Sequence, residues 1–429
     1  MEMIDRESLI FVSPDLRPGI AEAVQGFADS GVLKQFITTM VLDGDAASKW
    51  LKHLPFPHRR RLSLDVDKVT TYPFPELVRA AARRISRDEI LLDKFWWWAE
   101  RRFDQKVARD WAGKAPFLYG FEFASAETFR AQKRSGGHTI LNQLIAHHKT
   151  LLGLMKEEME KYPDAVTDYD RHLFETADQV NRLKDEQIEL SDLIVANSEF
   201  VKQSLVDAGV AEEKIAVVPG AAPLLSPSAP RMRKPDRVVF LSAGSQSIRK
   251  GTSYLLEAWR QMKTHTGAEL WLVGKNTLPP RLLNNLPGTV IVESAVSQER
   301  LFDLYTKASV LVLPSLCEGF ALVILEAMAH GLPVITTANS GCGDFVEDGV
   351  NGWIVPIRDA QALARRMESC LGNLNALSEM GEVSRRKARN WTWDKYCELH
   401  SQTVYSFMRN ASAVQLGNEG FSAESFLCA

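Results

Sequence analysis

The chain has 429 residues, 45% of them hydrophobic and 24% charged, which excludes a disordered polypeptide and leaves room for two or three domains. A formal net charge of −3 excludes a global pull toward nucleic acid, so any polyanion site must be local. Five scattered cysteines (Cys317, Cys342, Cys370, Cys397 and Cys428), with no CxxC pair, exclude a disulfide framework and a zinc site and point to a reducing cytoplasm.

The N-terminus, MEMIDRESLIFVSPD, lacks the basic start and apolar run of a signal peptide. No run of about 18 apolar residues follows, so nothing is expected to span a membrane. Strands are predicted at 8–14, 35–42, 116–121, 138–145 and 192–198, with long helical stretches at 75–112 and 150–190. This half reads as an α/β domain with helical insertions.

Within it, FWWWAERRFDQKVARDW (95–111) puts Trp96, Ala99, Phe103 and Val107, with Leu92 before them, on one helical stripe and Trp97 on the opposite face near Arg101. Residues 59–115 carry fourteen Lys/Arg against nine Asp/Glu. Two readings stand: a packed helix with a solvated face, or a basic surface with an exposed Trp suited to peripheral contact with an anionic membrane. DGD (43–45), DVD (65–67) and DYD (168–170) each match a metal-binding DxD, and three unrelated copies mark the pattern as cheap.

A segment with five prolines, 219–237, reads as a linker. Beyond it, apolar runs at 238–244, 270–274, 289–294, 309–315, 333–338 and 352–357 alternate with helical patterns, the signature of a parallel sheet covered on both faces. The fold class is therefore α/β, two Rossmann-like doubly wound domains facing a cleft. The expected division is 1–218, 219–393 and 394–429. The last helical pattern, 393–410, carries Tyr396, Tyr405 and Phe407, which need a surface to cover.

Two glutamates stand in the apolar segment PSLCEGFALVILEAMAHGLPVITT. Glu318 falls between a strand end and a helix start, where the unpaired N–H groups from about Gly319 to Leu322 and the helix dipole make an anion site. Glu326 falls on a helix apolar all round, where a carboxylate is costly unless satisfied, either inside the fold or by ligand hydroxyls. A second strand end, GSQSIRKG (244–251), offers Gly244, Arg249 and Lys250 before another helix.

These residues resemble the donor domain of family 4 glycosyltransferases, retaining enzymes of GT-B fold. The resemblance runs closely over about 236–395 and more loosely over 191–219. Its core is EGFALVILEAMAHGLPVIT, Glu318 to Thr336, with the family's two-glutamate spacing. The resemblance implies that Glu318 contacts the transferred sugar, that the amides of Phe320, Ala321 and Leu322 hold a diphosphate, that Glu326 holds the ribose and that Lys250 neutralises the leaving group. It implies a nucleoside diphosphate sugar as donor, no metal or other cofactor and no nucleic acid, and a final helix crossing back onto the first domain. The acceptor would be a carbohydrate, a lipid-linked glycan or a small molecule.

Ser245 stands where the family commonly has Arg, and Arg249 is the residue able to compensate. The loop 13–24 matches the family's glycine-bearing loop, with Gly19 at the helix start. Of His147 and His148, the resemblance favours His147 as the side chain reaching the sugar. Glu326 is expected to find its partner across the cleft. Two rival readings remain: a glycosidase using both glutamates, and a catalytically degenerate nucleotide-sugar-binding partner.

Overall fold

A computed structural model describes residues 6–16, 18–41, 64–221, 236–294 and 296–415. The DGD triplet, residues 222–235 of the linker and Cys428 lie outside them.

The first domain runs β1 (Leu9–Val12), α1 (Pro18–Asp29), β2 (Leu33–Thr38), β3 (Val69–Thr71), α2 (Phe74–Ile85), α3 (Glu89–Trp111), β4 (Phe117–Phe121), α4 (Ala126–Arg134), β5 (His138–Gln143), α5 (His148–Lys161), α6 (Asp168–Leu190), β6 (Leu193–Ala196), α7 (Glu199–Asp207) and β7 (Ile215–Val217). Its seven strands form a parallel sheet in the order β3-β2-β1-β4-β5-β6-β7. The second domain runs β8 (Val238–Ala243), α8 (Thr252–Gln261), β9 (Ala268–Val273), α9 (Pro280–Leu283), β10 (Thr289–Glu293), α10 (Gln298–Lys307), β11 (Val310–Leu313), α11 (Leu322–Ala329), β12 (Val334–Thr336), β13 (Gly352–Ile354), α12 (Ala360–Cys370) and α13 (Leu374–Asn390). Its sheet is parallel in the order β10-β9-β8-β11-β12-β13.

The apolar strands are buried on both faces because alternate residues feed different cores. In β1, Leu9 and Phe11 join one cluster while Ile10 and Val12 join the other. In β8, Val238 and Phe240 face one side, and Val239, Leu241 and Ala243 the other. All eleven strands expected from the sequence are present. The additional β3 and β7 are three residues each and only partly buried.

Each long helical stretch is broken in two by local chemistry. Asp88 accepts from the amides of Ile90 and Leu91 and so starts α3 afresh. Pro163 follows α5, and Thr167 with Asp170 forms a reciprocal capping box that starts α6. Asp170 of the DYD triplet is thus a helix cap.

The last helix, α14 (Trp393–Gln415), crosses back onto the first domain as expected. Its Tyr396, Val404 and Met408 are buried in the cluster that holds Phe11 and Phe27. Gly19, at the start of α1, lies against this helix: a Cβ there would come within 3.1 Å of the Trp393 ring. At the centre, the Tyr119 hydroxyl meets His400 Nε2 at 2.8 Å with both side chains fully buried.

In both sheets the strand order reverses at the middle, between β1 and β4 and between β8 and β11. The carboxyl ends beside such reversals are where open α/β sheets bind ligands. The domains touch there and along α5. Tyr254 and Arg358 of the second domain bond Glu158 of α5, at 3.0 and 2.6 Å, and Glu158 is 1% exposed.

Burial holds the His400 imidazole neutral, with its pKa lowered to about 3. The unfolded chain binds this proton near the ordinary histidine value and the folded chain does not, so His400 lowers stability as pH falls below about 6.5. A His400→Gln variant lacks this penalty. Its stability deficit relative to the native chain should narrow by about 2 kcal/mol between pH 7 and pH 5 in denaturant titrations. A constant deficit would show that the ring is protonated in the fold.

Candidate active site

The turn after β8 begins at Gly244, whose φ of +118° only glycine adopts readily. The Lys250 ammonium sits over it, 4.0 Å from the position a Cβ would take. At the end of the turn, Gly251 has φ +68°, and a Cβ on it would come within 1.9 Å of the Pro314 carbonyl oxygen. That close approach, with the Leu316 amide donating to the Arg249 carbonyl at 2.9 Å, fastens the Arg249-Lys250 turn to the loop after β11.

The fastening brings three charges together. Glu318 Oε1 receives Lys250 Nζ at 2.8 Å and an Arg249 guanidinium nitrogen at 2.5 Å. Arg249 also donates to the Cys317 carbonyl at 2.8 Å. Burial lowers the Lys250 pKa, and Glu318 beside it opposes that shift. The Cys317 thiol is pushed up to about 12 by burial, so it is no nucleophile.

The α11 helix starts at Leu322. The Ala321 amide donates to the Ser340 carbonyl and the Leu322 amide to that of Phe320, both at 3.0 Å. The amides of Gly319, Phe320 and Val323 have no acceptor among the described residues. Of the three amides that the resemblance assigns to a diphosphate, those of Ala321 and Leu322 thus have backbone acceptors in this structure and that of Phe320 has none among the described residues.

Glu326 is half-buried on α11. Its Oε2 accepts from the Tyr305 hydroxyl of α10 at 3.1 Å, within its own domain and not across the cleft. It makes no ion pair among the described residues, and burial raises its pKa. His330 bonds the backbone carbonyl of Glu326 at 2.7 Å, leaving the carboxylate without a cation. A partly buried carboxylate with spare acceptor capacity can still receive hydroxyl hydrogens.

The histidine pair resolves differently from expectation. His147 is 3% exposed and caps α5, its Nδ1 accepting from the Lys149 amide at 3.2 Å. That donor fixes the proton on Nε2, which points to Asp185 at 3.3 Å. Burial lowers its pKa to about 4. His148 is the one that lines the cleft, with its Nε2 2.6 Å from Asp185. His147, His148 and Asp185 offer three metal-ligand atoms within 4.8 Å. The His147 tautomer argues against that use, since a metal on Nε2 would leave Nδ1–H facing the Lys149 N–H.

A cavity of about 770 Å³ opens between the domains. The second domain contributes Ser245, Ser247, Ile248, Arg249, Lys275 and Thr277, and α3, α5 and α6 supply a largely aliphatic and aromatic wall. Trp97 faces this cavity, packed edge-on against Trp96 and Phe123 with centroids 4.8 and 5.9 Å away. Trp97 is thus packed within the helix wall, and it also borders an open surface cleft with Trp98, Arg101 and Arg102. No helix among the described residues is long and apolar enough to cross a membrane.

Residues 235–373 match the family model described as Glycosyl transferases group 1. The segment is 36% identical over 118 residues to D-inositol 3-phosphate glycosyltransferase of Streptomyces coelicolor, covering 27% of this chain and 26% of the relative. A longer match, 30% over 208 residues, is to an MMP alpha-(1->4)-mannosyltransferase of Mycolicibacterium hassiacum, covering 47% and 50%. The chain thus spans about a quarter to a half of these relatives' lengths.

Whole-chain likeness appears in solved structures. Sucrose-phosphate synthase from Thermosynechococcus elongatus aligns with a TM-score of 0.58 at 17% identity, covering 94% of this chain and 99% of that one. Anabaena HepE in complex with UDP aligns with a TM-score of 0.57 at 16% identity, covering 93% and 100%. The two-domain α/β architecture is that of these glycosyltransferase structures.

Glu318 is the present counter-ion of Arg249 and Lys250. Glu318→Gln should melt earlier, by about 1–3 kcal/mol, because a buried ammonium loses its partner. Adding a nucleoside diphosphate should then raise the melting temperature more in the variant than in the native chain. An equal or smaller rise would place the diphosphate away from this pair.

Proposed function

We propose that the protein is a retaining glycosyltransferase that moves a sugar from a nucleoside diphosphate sugar to an acceptor held by the first domain. The observation that carries this reading is the convergence, at the β8/β11 reversal, of a largely buried lysine, a partly exposed arginine and the amides of Gly319, Phe320 and Val323, which have no acceptor among the described residues. A diphosphate is the ligand class that matches two cations and a helix start together. The family match over 235–373 supports the same reading.

On this reading the diphosphate takes Lys250 and Arg249 from Glu318, whose carboxylate then turns to the sugar hydroxyls. Arg249 supplies the cation that Ser245 does not. Glu326, whose carboxylate is bonded only by Tyr305 among the described residues, accepts from the ribose diol. The acceptor hydroxyl attacks the anomeric carbon as the bond to the diphosphate breaks, and its proton passes to the departing phosphate oxygen on the same face, which preserves the configuration. Lys250 and the α11 amides stabilise the negative charge that develops on that oxygen, so the step needs no metal. A cytoplasmic location fits a nucleotide-sugar donor.

The glycosidase alternative requires a free general acid, and Glu318 Oε1 is engaged by both Lys250 and Arg249.

The test is a panel of nucleotide sugars, read by calorimetry and by transfer to simple acceptors. At least one should bind and be turned over. Lys250→Ala should lower kcat about 10²-fold or more, and Glu326→Ala should weaken donor binding about tenfold through the lost ribose bonds. If no nucleotide sugar binds, the reading fails. Unchanged donor affinity in Glu326→Ala would remove only the ribose assignment.

A further inference from the structure

The cavity between the domains holds a charge that its own fold leaves poorly answered. Lys184 on α6 lines the wall and its side chain is 13% exposed. Its nearest carboxylate oxygen, Glu122 Oε1, is 3.9 Å away, too far for a hydrogen bond. The ammonium accordingly has no hydrogen-bond acceptor among the described residues; Glu122 and Asp185 attract it only through space, and the Phe123 ring lies 4.5 Å away, measured to the centroid. A nearly buried ammonium without an acceptor is costly, and a bound anion would remove that cost.

The surroundings define the rest of such a ligand. Phe123 has φ +78°, a strained conformation for an aromatic residue, at the carboxyl end of β4. The turn sets its ring against Trp96 and Trp97, at 5.4 and 5.9 Å, in an edge-to-face trio beside Lys184. Leu173 and Phe174 continue the wall. An apolar body suits this aromatic face, and the same lining also carries Glu89, Asp93, Asp170 and Asn181. The volume, about 770 Å³, suits a ligand of drug-like size.

Building on the glycosyltransferase reading, we propose that this cavity is an acceptor site for amphiphiles, with an apolar body on the Trp96–Trp97–Phe123 wall and an acidic group, carboxylate or phosphate, on Lys184. The opposite wall carries Ser245 and Arg249 of the presumed donor side, so an occupant would lie against the transferred sugar.

Calorimetry with 1-naphthyl phosphate, 1-naphthoate and 1-naphthol tests this on the full chain. Both anions should bind at least about tenfold tighter than the neutral naphthol, the margin of a charge-assisted hydrogen bond. The stronger of the two anions identifies the acidic group. Lys184→Met should erase that preference while naphthol binding persists, and Trp97→Ala should weaken all three. Glu122, its carboxyl pushed up to about 7 by burial, can take up a proton when Lys184 is lost. If Lys184→Met still fails to fold, the neutral Glu122→Gln/Lys184→Met pair replaces it. Equal binding of naphthol and the anions, an anion preference surviving Lys184→Met, or no binding of any probe would each overturn the proposal. Nucleoside diphosphate affinity, measured on the same samples, reports separately on the donor site, so loss of one reading is distinguishable from loss of the other.

Discussion

The backbone of Gly319 rests directly on the first domain, and the rest of the cleft depends on that contact. A Cβ on Gly319 would lie 1.7 Å from the Leu144 carbonyl oxygen, and the Gly319 carbonyl accepts from the Ser198 hydroxyl at 2.6 Å. The loop that carries Glu318 is thus held from both sides: by its own sheet through Pro314 and Gly251, and by the ends of β5 and β6 through Leu144 and Ser198. No side chain fits there while the domains are closed. A residue that sequence logic assigns to phosphate binding also sets how near the two halves of the site come.

Closure gives the electrostatics their meaning. Arg249, Lys250 and Glu318 form a triad only because two loops from neighbouring strands are pressed together. The overall charge of −3 conveys nothing of it. In this arrangement Glu318 shields two cations that would otherwise stand unpaired near a buried surface. A negative ligand then replaces a carboxylate rather than filling a bare positive pocket. Exchange of one anion for another costs less desolvation than capture by an empty site, and it frees Glu318 at the moment the ligand arrives.

Much of the architecture could be read from the residues, for a definite reason. Parallel strands buried on both faces are continuous apolar runs, and their alternation with helical patterns separates them from short buried helices. β3 and β7 escaped because three half-buried residues, VTT and IAV, carry no such pattern. The Glu318–Glu326 spacing was legible as chemistry, since carboxylates in an apolar helix demand partners. What each one touches was not. Tyr305 reaches Glu326 from a helix twenty-one residues earlier, and the choice between His147 and His148 turns on which ring the Lys149 amide captures. A glycine at a helix start announced a glycine-bearing loop at Gly19 and nothing of its packing. Only the path of α14 shows that the missing side chain makes room for Trp393.

The tryptophan run shows the same limit from the other side. Helical periodicity put Trp97 opposite the apolar stripe, which on an isolated helix means solvent or a membrane. In the fold that face meets Phe123, a residue twelve positions beyond the helix end, turned toward it by a backbone angle no sequence pattern announces. Together α3, α5 and α6 add a second apolar surface to a domain whose sheet is already covered. A domain gains no core from a surface that faces a gap of this size. Its apolar area is kept out of water only when the cavity is filled, so the helices that build this wall make the stability of the closed form depend on what occupies it.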